Sequence, residues 1–150
     1  LTSLCNAVDR RFLSDRLPYP YMEKDAEEWL KMVTDNDTIT GIYRAIVYDG
    51  KLIGSISVEK KNDDAEIGYM LLNEYTNKGI ATEAVKQICT IAFKVLSLEQ
   101  IMANVFQPNI ASMRVLLKND FKYKGVIPNA VIKDGNVYDL LIYVLTVNSN

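Results

Sequence analysis

The chain of 150 residues contains no histidine, and that absence removes more chemistry than any other. Without an imidazole there is no Ser-His-Asp or Cys-His triad, no histidine-ligated zinc, and no ring nitrogen titrating near neutrality. Cysteine is scarce as well. Cys5 and Cys89 stand far apart and form no CxxC, so both read as reduced thiols of a cytoplasmic protein, and no metal site is expected. No apolar run approaches the roughly 18 residues of a membrane span. Residues 1–6 carry neither an initiator Met nor the apolar core of a signal peptide, so a chain opening on Leu1 reads as a fragment. No strong charge of one sign is present: 17 Lys and Arg against 19 Asp and Glu leave a net −2, which argues against a general nucleic-acid binder. Neither GxxxxGK[ST] nor GxGxxG occurs, which sets aside a P-loop and a dinucleotide-binding βαβ unit. Asn36-Asp37-Thr38 matches a glycosylation sequon, but with no secretion signal it reads as a polar turn.

What is present is the balance of a globular domain, 49% hydrophobic and 24% charged. At this length roughly 70% of the chain's surface can be buried without a staple. There are no repeats, low-complexity tracts or linkers, so residues 1–150 read as one domain. Residues 4–13 have helical character, stopped by Pro18 and Pro20. A second helix over 25–33 sets Ala26, Trp29, Leu30 and Val33 on one face. Strands follow at 43–48 and 52–58 around Asp49-Gly50, a favoured hairpin dipeptide, and at 65–72. From 79 to 96 the period returns to 3.6, with Ala81, Ala84, Val85, Ile88, Ala92 and Val95 in one stripe. A strand over 101–106, a helix over 109–118 and strands over 121–126 and 137–145 complete an αα-βββ-α-β-α-ββ order.

Three places could carry chemistry. The junction Tyr75-Thr76-Asn77-Lys78-Gly79-Ile80-Ala81-Thr82 leads from a strand into the longest helix with little side-chain bulk. The first-turn amides there have no intrahelical partners, and the helix dipole adds positive character, which suits a pyrophosphate. Gly79 shaping a tight turn is the plainer reading. Asn109 and Ser112, at i and i+3, face one side of a helix start, where they could serve a polar ligand or simply cap the helix. Glu66 alternates onto the face opposite Ile67, Tyr69 and Leu71. Covered by apolar groups it would suit a general base, and wet it would be an ordinary strand residue.

In order along nearly the whole chain, these segments resemble the GNAT superfamily of acetyl-CoA-dependent N-acetyltransferases. Within it they are similar to the branch of ribosomal-protein N-terminal alanine acetyltransferases. The residues that carry the likeness begin with Asp15-Arg16-Leu17-Pro18-Tyr19-Pro20-Tyr21, Asp25-Ala26-Glu27-Glu28-Trp29 and Leu52-Ile53-Gly54-Ser55-Ile56. They continue with Ala65-Glu66-Ile67-Gly68-Tyr69, Asn77-Lys78-Gly79-Ile80-Ala81-Thr82-Glu83-Ala84 and residues 109–121.

The resemblance implies an α+β, three-layer fold whose mostly antiparallel sheet splays between the strands at 65–72 and 101–106, with acetyl-CoA in the gap. It implies a pyrophosphate loop at Asn77, Lys78, Gly79, Ile80, Ala81 and Thr82, pantetheine pairing along Met70, Leu71 and Leu72, and a cofactor contact from Asn109. Glu66 becomes the base and Ser112 the acid, because Leu116 stands where many relatives carry a tyrosine. Other departures are Thr76 and Asn77, where relatives carry Gln or Arg and Gly, and Asp120 in place of a Gly before Phe121. The family's first strand finds no room before Leu1, so its loss would leave a sheet edge free to pair with a second copy, which allows a homodimer. The acceptor implied is a primary amine, a peptide N-terminus first and a small metabolite second. A non-catalytic acyl-CoA-binding module is the alternative function.

Overall fold

The computed structural model describes residues 2–7, 22–62 and 64–147, with side chains left out at 5–7. The first helix, α1 (Thr2–Ala7), is described over only part of its expected length. The rest of the expected helix and the Pro18–Pro20 stop lie outside the described residues. Helix α2 (Glu23–Asn36) starts where the Met22 N–H donates to Asp25 Oδ2 at 2.9 Å, so an acidic side chain answers an orphan amide at the positive helix end. Ala26 is buried and Trp29 half-buried, but Leu30 is exposed. A 14-residue helix packed along a narrow strip leaves no partner for the wide side of its stripe.

Strands β1 (Gly41–Tyr48), β2 (Lys51–Lys61) and β3 (Asp64–Leu71) form an antiparallel meander. Asp49 and Gly50 both adopt positive φ in the first hairpin, as its twist requires. A 3₁₀ turn (Asn73–Tyr75) leads to α3 (Ile80–Leu96). Then come β4 (Gln100–Phe106), α4 (Ile110–Lys118), β5 (Lys122–Lys133) and β6 (Asn136–Thr146). The six strands lie in the order β1-β2-β3-β4-β6-β5, and every neighbour pair is antiparallel except β3–β4. This is the expected α+β architecture.

Register fixes which residues share a face, because partners opposite one another project to the same side. Ile42, Val58 and Ile67 face α3, whose Val85, Ile88 and Ala92 are buried against them in one core with Ala103 and Leu116. The stripe of α3 ends on Cys89 and Leu96 rather than on Val95, which is 43% exposed. Tyr43 and Gly68 lie on the other face, where Trp29 of α2 meets the Tyr43 ring edge-on with centroids 5.8 Å apart.

Gly54 is the tightest point of the meander. It pairs with Leu71, and a Cβ built there would collide with the Met70 carbonyl oxygen. Gly54→Ala is therefore expected to cost about 2 kcal/mol, the range of core overpacking, read as a lowered urea midpoint with unchanged slope.

Candidate active site

Strands β3 and β4 are joined by a single paired position, Glu66 opposite Met102. Beyond it they diverge, and a groove of about 1590 Å³ opens between them. It is lined from both faces of the sheet: Tyr69, Ser112 and Ala81 on the α3–α4 side, Trp29, Tyr43 and Glu59 on the α2 side.

The β3 wall exposes backbone. The Leu72 N–H donates to Ile53 O at 2.8 Å, so Leu72, and by alternation Met70, turn their peptide groups toward β2. The N–H and C=O groups of Tyr69 and Leu71 then point toward β4, which has already departed. Of the stretch expected to pair with a ligand, Leu71 therefore presents backbone to the gap and Leu72 does not. Tyr69 joins Leu71, a residue the expectation omitted.

The loop below this wall is built on left-handed backbone. Asn77 has φ 60° and Gly79 φ 81°. Asparagine is among the side chains most tolerant of that region, which accounts for Asn77 standing where relatives carry Gly. Gly79 is the residue before α3 and no side chain caps the turn, so the amides of Ile80, Ala81 and Thr82 keep their orphan status. A Cβ at Gly79 would meet no protein atom within 4 Å. Asn77, Gly79, Ala81 and Thr82 line the groove. Lys78 instead lies over the Tyr75 ring, 5.7 Å from its centroid, and the Ile80 side chain packs against the core. Their side chains are turned from the groove.

Helix α4 closes the other side. Asn109 caps it, its Oδ1 accepting the Ser112 N–H at 3.2 Å. The capping reading of Asn109 is thus what its oxygen does, and the residue also lines the groove. The Tyr69 hydroxyl donates to Ser112 Oγ at 3.0 Å, tying β3 to α4 across 43 residues of sequence. Burial pushes the Tyr69 phenol above its ordinary range, with the Ser112 hydrogen bond pulling the other way. Past α4, Asp120 takes φ 67°, the left-handed conformation that a Gly would adopt freely.

Glu66 stands at the fork itself, on the α2 side. It is not enclosed by apolar groups: Lys61 Nζ holds Oε2 at 2.8 Å, and the carboxylate side chain is 36% exposed. Its cross-strand partner is Glu59, which hydrogen-bonds Tyr43; burial first, and then the Glu59 charge, raise the Tyr43 pKa. Cys89 is remote from this chemistry. Burial pushes its thiol up to about 12, so it stays protonated at neutral pH and is no nucleophile. Among the described residues no cluster of acidic or cysteine side chains could hold a metal, and no helix is long and apolar enough to cross a membrane.

A gap of this kind, with bare amides at a helix entrance beside it, can be compared with known proteins. The profile of the acetyltransferase (GNAT) domain matches residues 3–122. The chain belongs to the GNAT family. YdaF of Bacillus subtilis, which bears the name "Putative ribosomal N-acetyltransferase", is 31% identical over 128 residues, covering 83% of this chain and 68% of that protein. The N-acetyltransferase YoaA of the same organism is 36% identical over 96 residues, covering 62% of this chain, and the chain spans about half of its length (54%). Among solved structures, RimL, an L7/L12 alpha-N-protein acetyltransferase in complex with coenzyme A, superposes with a TM-score of 0.81. Its sequence is 18% identical, over 94% of this chain and 81% of RimL. The fold is thus shared well beyond the reach of sequence identity.

Proposed function

We propose that this GNAT domain is an acetyl-CoA-dependent N-acetyltransferase acting on a primary amine, with a peptide N-terminus as the first candidate acceptor. The observation that carries it is the divergence of β3 and β4 after one paired position, with uncapped α3 amides at its mouth. The residues present fit acetyl-CoA. The α3 first turn, with Asn77 and Gly79, offers N–H groups and open space to a pyrophosphate. The Tyr69 and Leu71 peptide groups offer a strand edge to the amides of pantetheine. Acetyl-CoA supplies an acyl group activated as a thioester.

The protein's own groups then divide by face. Glu66 lacks the apolar cover expected of a base, and its place in the groove at the fork is what supports its taking a proton from the attacking amine, directly or through a water. Lys61 keeps that carboxylate oriented. The Leu71 N–H faces the gap where negative charge develops on the acyl oxygen. Ser112, on the opposite face, delivers a proton to the departing sulfur. Base and acid on opposite sides of one strand suit an amine entering from one face while the thiol leaves by the other. Asp25, Glu28 and Glu59 on the α2 side give the amine an acidic approach. The names of YdaF and RimL, both concerned with ribosomal proteins, support a peptide acceptor.

The test is binding followed by turnover. Acetyl-CoA at 100 times its Kd is expected to stabilise the fold by about 2.7 kcal/mol, a rise in Tm of about 5–10 °C, with NAD and ATP giving no comparable rise. Mass spectrometry of a panel of peptides and small amines then reads acetyl transfer. Binding without transfer to any amine would favour an acyl-CoA-binding regulatory module instead, and no stabilisation by any CoA thioester would end the reading.

A further inference from the structure

We propose that Tyr69 stands behind Ser112 as its proton reserve: as Ser112 gives its hydrogen to the leaving thiolate, the Tyr69 phenolic hydrogen passes to Ser112 Oγ. This rests on Ser112 being the acid, and adds a positioning residue to it.

Geometry carries the inference. The Tyr69 hydroxyl donates to Ser112 Oγ at 3.0 Å, so the serine's own hydrogen is left for a different acceptor, and Ser112 lines the groove. The Ser112 N–H is committed to Asn109 Oδ1, and the Tyr69 peptide faces the gap. Two hydroxyls from β3 and α4 thus form a short chain at the groove, where the proposed function has the sulfur depart.

Chemistry explains why such a chain is needed. An aliphatic hydroxyl ionises far above a thiol, so a lone serine would surrender its proton uphill. A phenol, with an ordinary pKa of about 10 against about 8.5 for a thiol, is far better matched. Burial raises the Tyr69 pKa from there and so works against donation, while the Ser112 hydrogen bond lowers it; the phenol remains a far stronger acid than an aliphatic hydroxyl. The step balances: the C–S bond breaks, an S–H bond forms with the Ser112 hydrogen, and the Ser112 O–H is restored from Tyr69. The phenolate regains its proton from water in the open groove.

The experiment compares Tyr69→Phe, Ser112→Ala and the double variant, using acetyl-CoA and the best acceptor found. Tyr69→Phe keeps the ring that packs on the core and loses one hydrogen bond, so Tm is expected to fall by no more than about 2–4 °C while the acetyl-CoA Kd stays at the wild-type value. Its kcat is expected to fall about 10-fold, the worth of one hydrogen bond in a transition state. Ser112→Ala is expected to fall about 100-fold, and the double variant no further than Ser112→Ala alone. A proton inventory in mixed H₂O and D₂O should be curved for wild type and linear for Tyr69→Phe. Wild-type kcat in Tyr69→Phe alongside a slow Ser112→Ala overturns the relay and leaves the acid in place. Wild-type kcat in Ser112→Ala removes the acid itself. A Tyr69→Phe loss that tracks a larger fall in Tm, or that multiplies with Ser112→Ala, makes Tyr69 a packing residue only.

Discussion

Gly79→Val is expected to weaken acetyl-CoA binding on the order of 100-fold, the loss of one or two hydrogen bonds to a charged group at about 1.5–3 kcal/mol each. Two effects combine. The position before α3 has φ 81°, where an L side chain costs about 1–2 kcal/mol. The new side chain would also stand in the open space that the α3 amides face, because nothing of the protein occupies it. Gly50→Val separates the two. Gly50 has φ 77° with equally open surroundings, but it sits at the β1–β2 hairpin away from the groove. Calorimetric titration should find both variants destabilised to a similar degree and only Gly79→Val deficient in binding. Equal affinities would show that the helix entrance does not hold the diphosphate.

The second large effect is expected at Glu66. Glu66→Gln should lower kcat/KM for the amine about 100-fold, the usual worth of a positioned base, with acetyl-CoA affinity unchanged because the carboxylate faces the α2 side. Lys61→Met tests the salt bridge separately: it leaves the carboxylate in place and removes the group holding it at 2.8 Å. A rate within a few-fold of wild type for Glu66→Gln across pH would assign proton removal to water alone.

Much of this fold was legible because its signals are local. Two of the three hairpin turns carry an Asp-Gly pair, at Asp49-Gly50 and Asp134-Gly135, and all four residues take the positive φ that such turns require. The small residues at the start of α3 marked the loop, and Asn109 marked the start of α4. Misreadings arose where tertiary placement overrode a local rule. Strand β5 runs through Pro128 to Lys133, past the end expected at 126. As the outermost strand, β5 can accept a residue with no amide hydrogen, and its register shifts between Ile127 and Val131. Leu30 and Val95 follow helical period but face water, because period locates a stripe and not the width of what lies beneath it.

The site shows the same division. Glu66 and Ser112 could be named from their neighbours in sequence. Tyr69 could not: alternation filed it with Ile67 as core, and only the docking of α4 brings a serine 43 residues away within 3.0 Å of its hydroxyl. Nor could period-2 reasoning alone tell which of residues 69–72 turn their amides outward, since that depends on which side of β3 has a partner. The hydrogen bond from Leu72 to Ile53 settles it.

The lone Glu66–Met102 pairing also has a mechanical meaning. A sheet sewn at one stitch along its midline leaves the free margin of β3 unpaired beside β4. Under the proposed function, acetyl-CoA laid along that margin becomes a spline, and amide exchange at Tyr69 and Leu71 is expected to slow when it is bound.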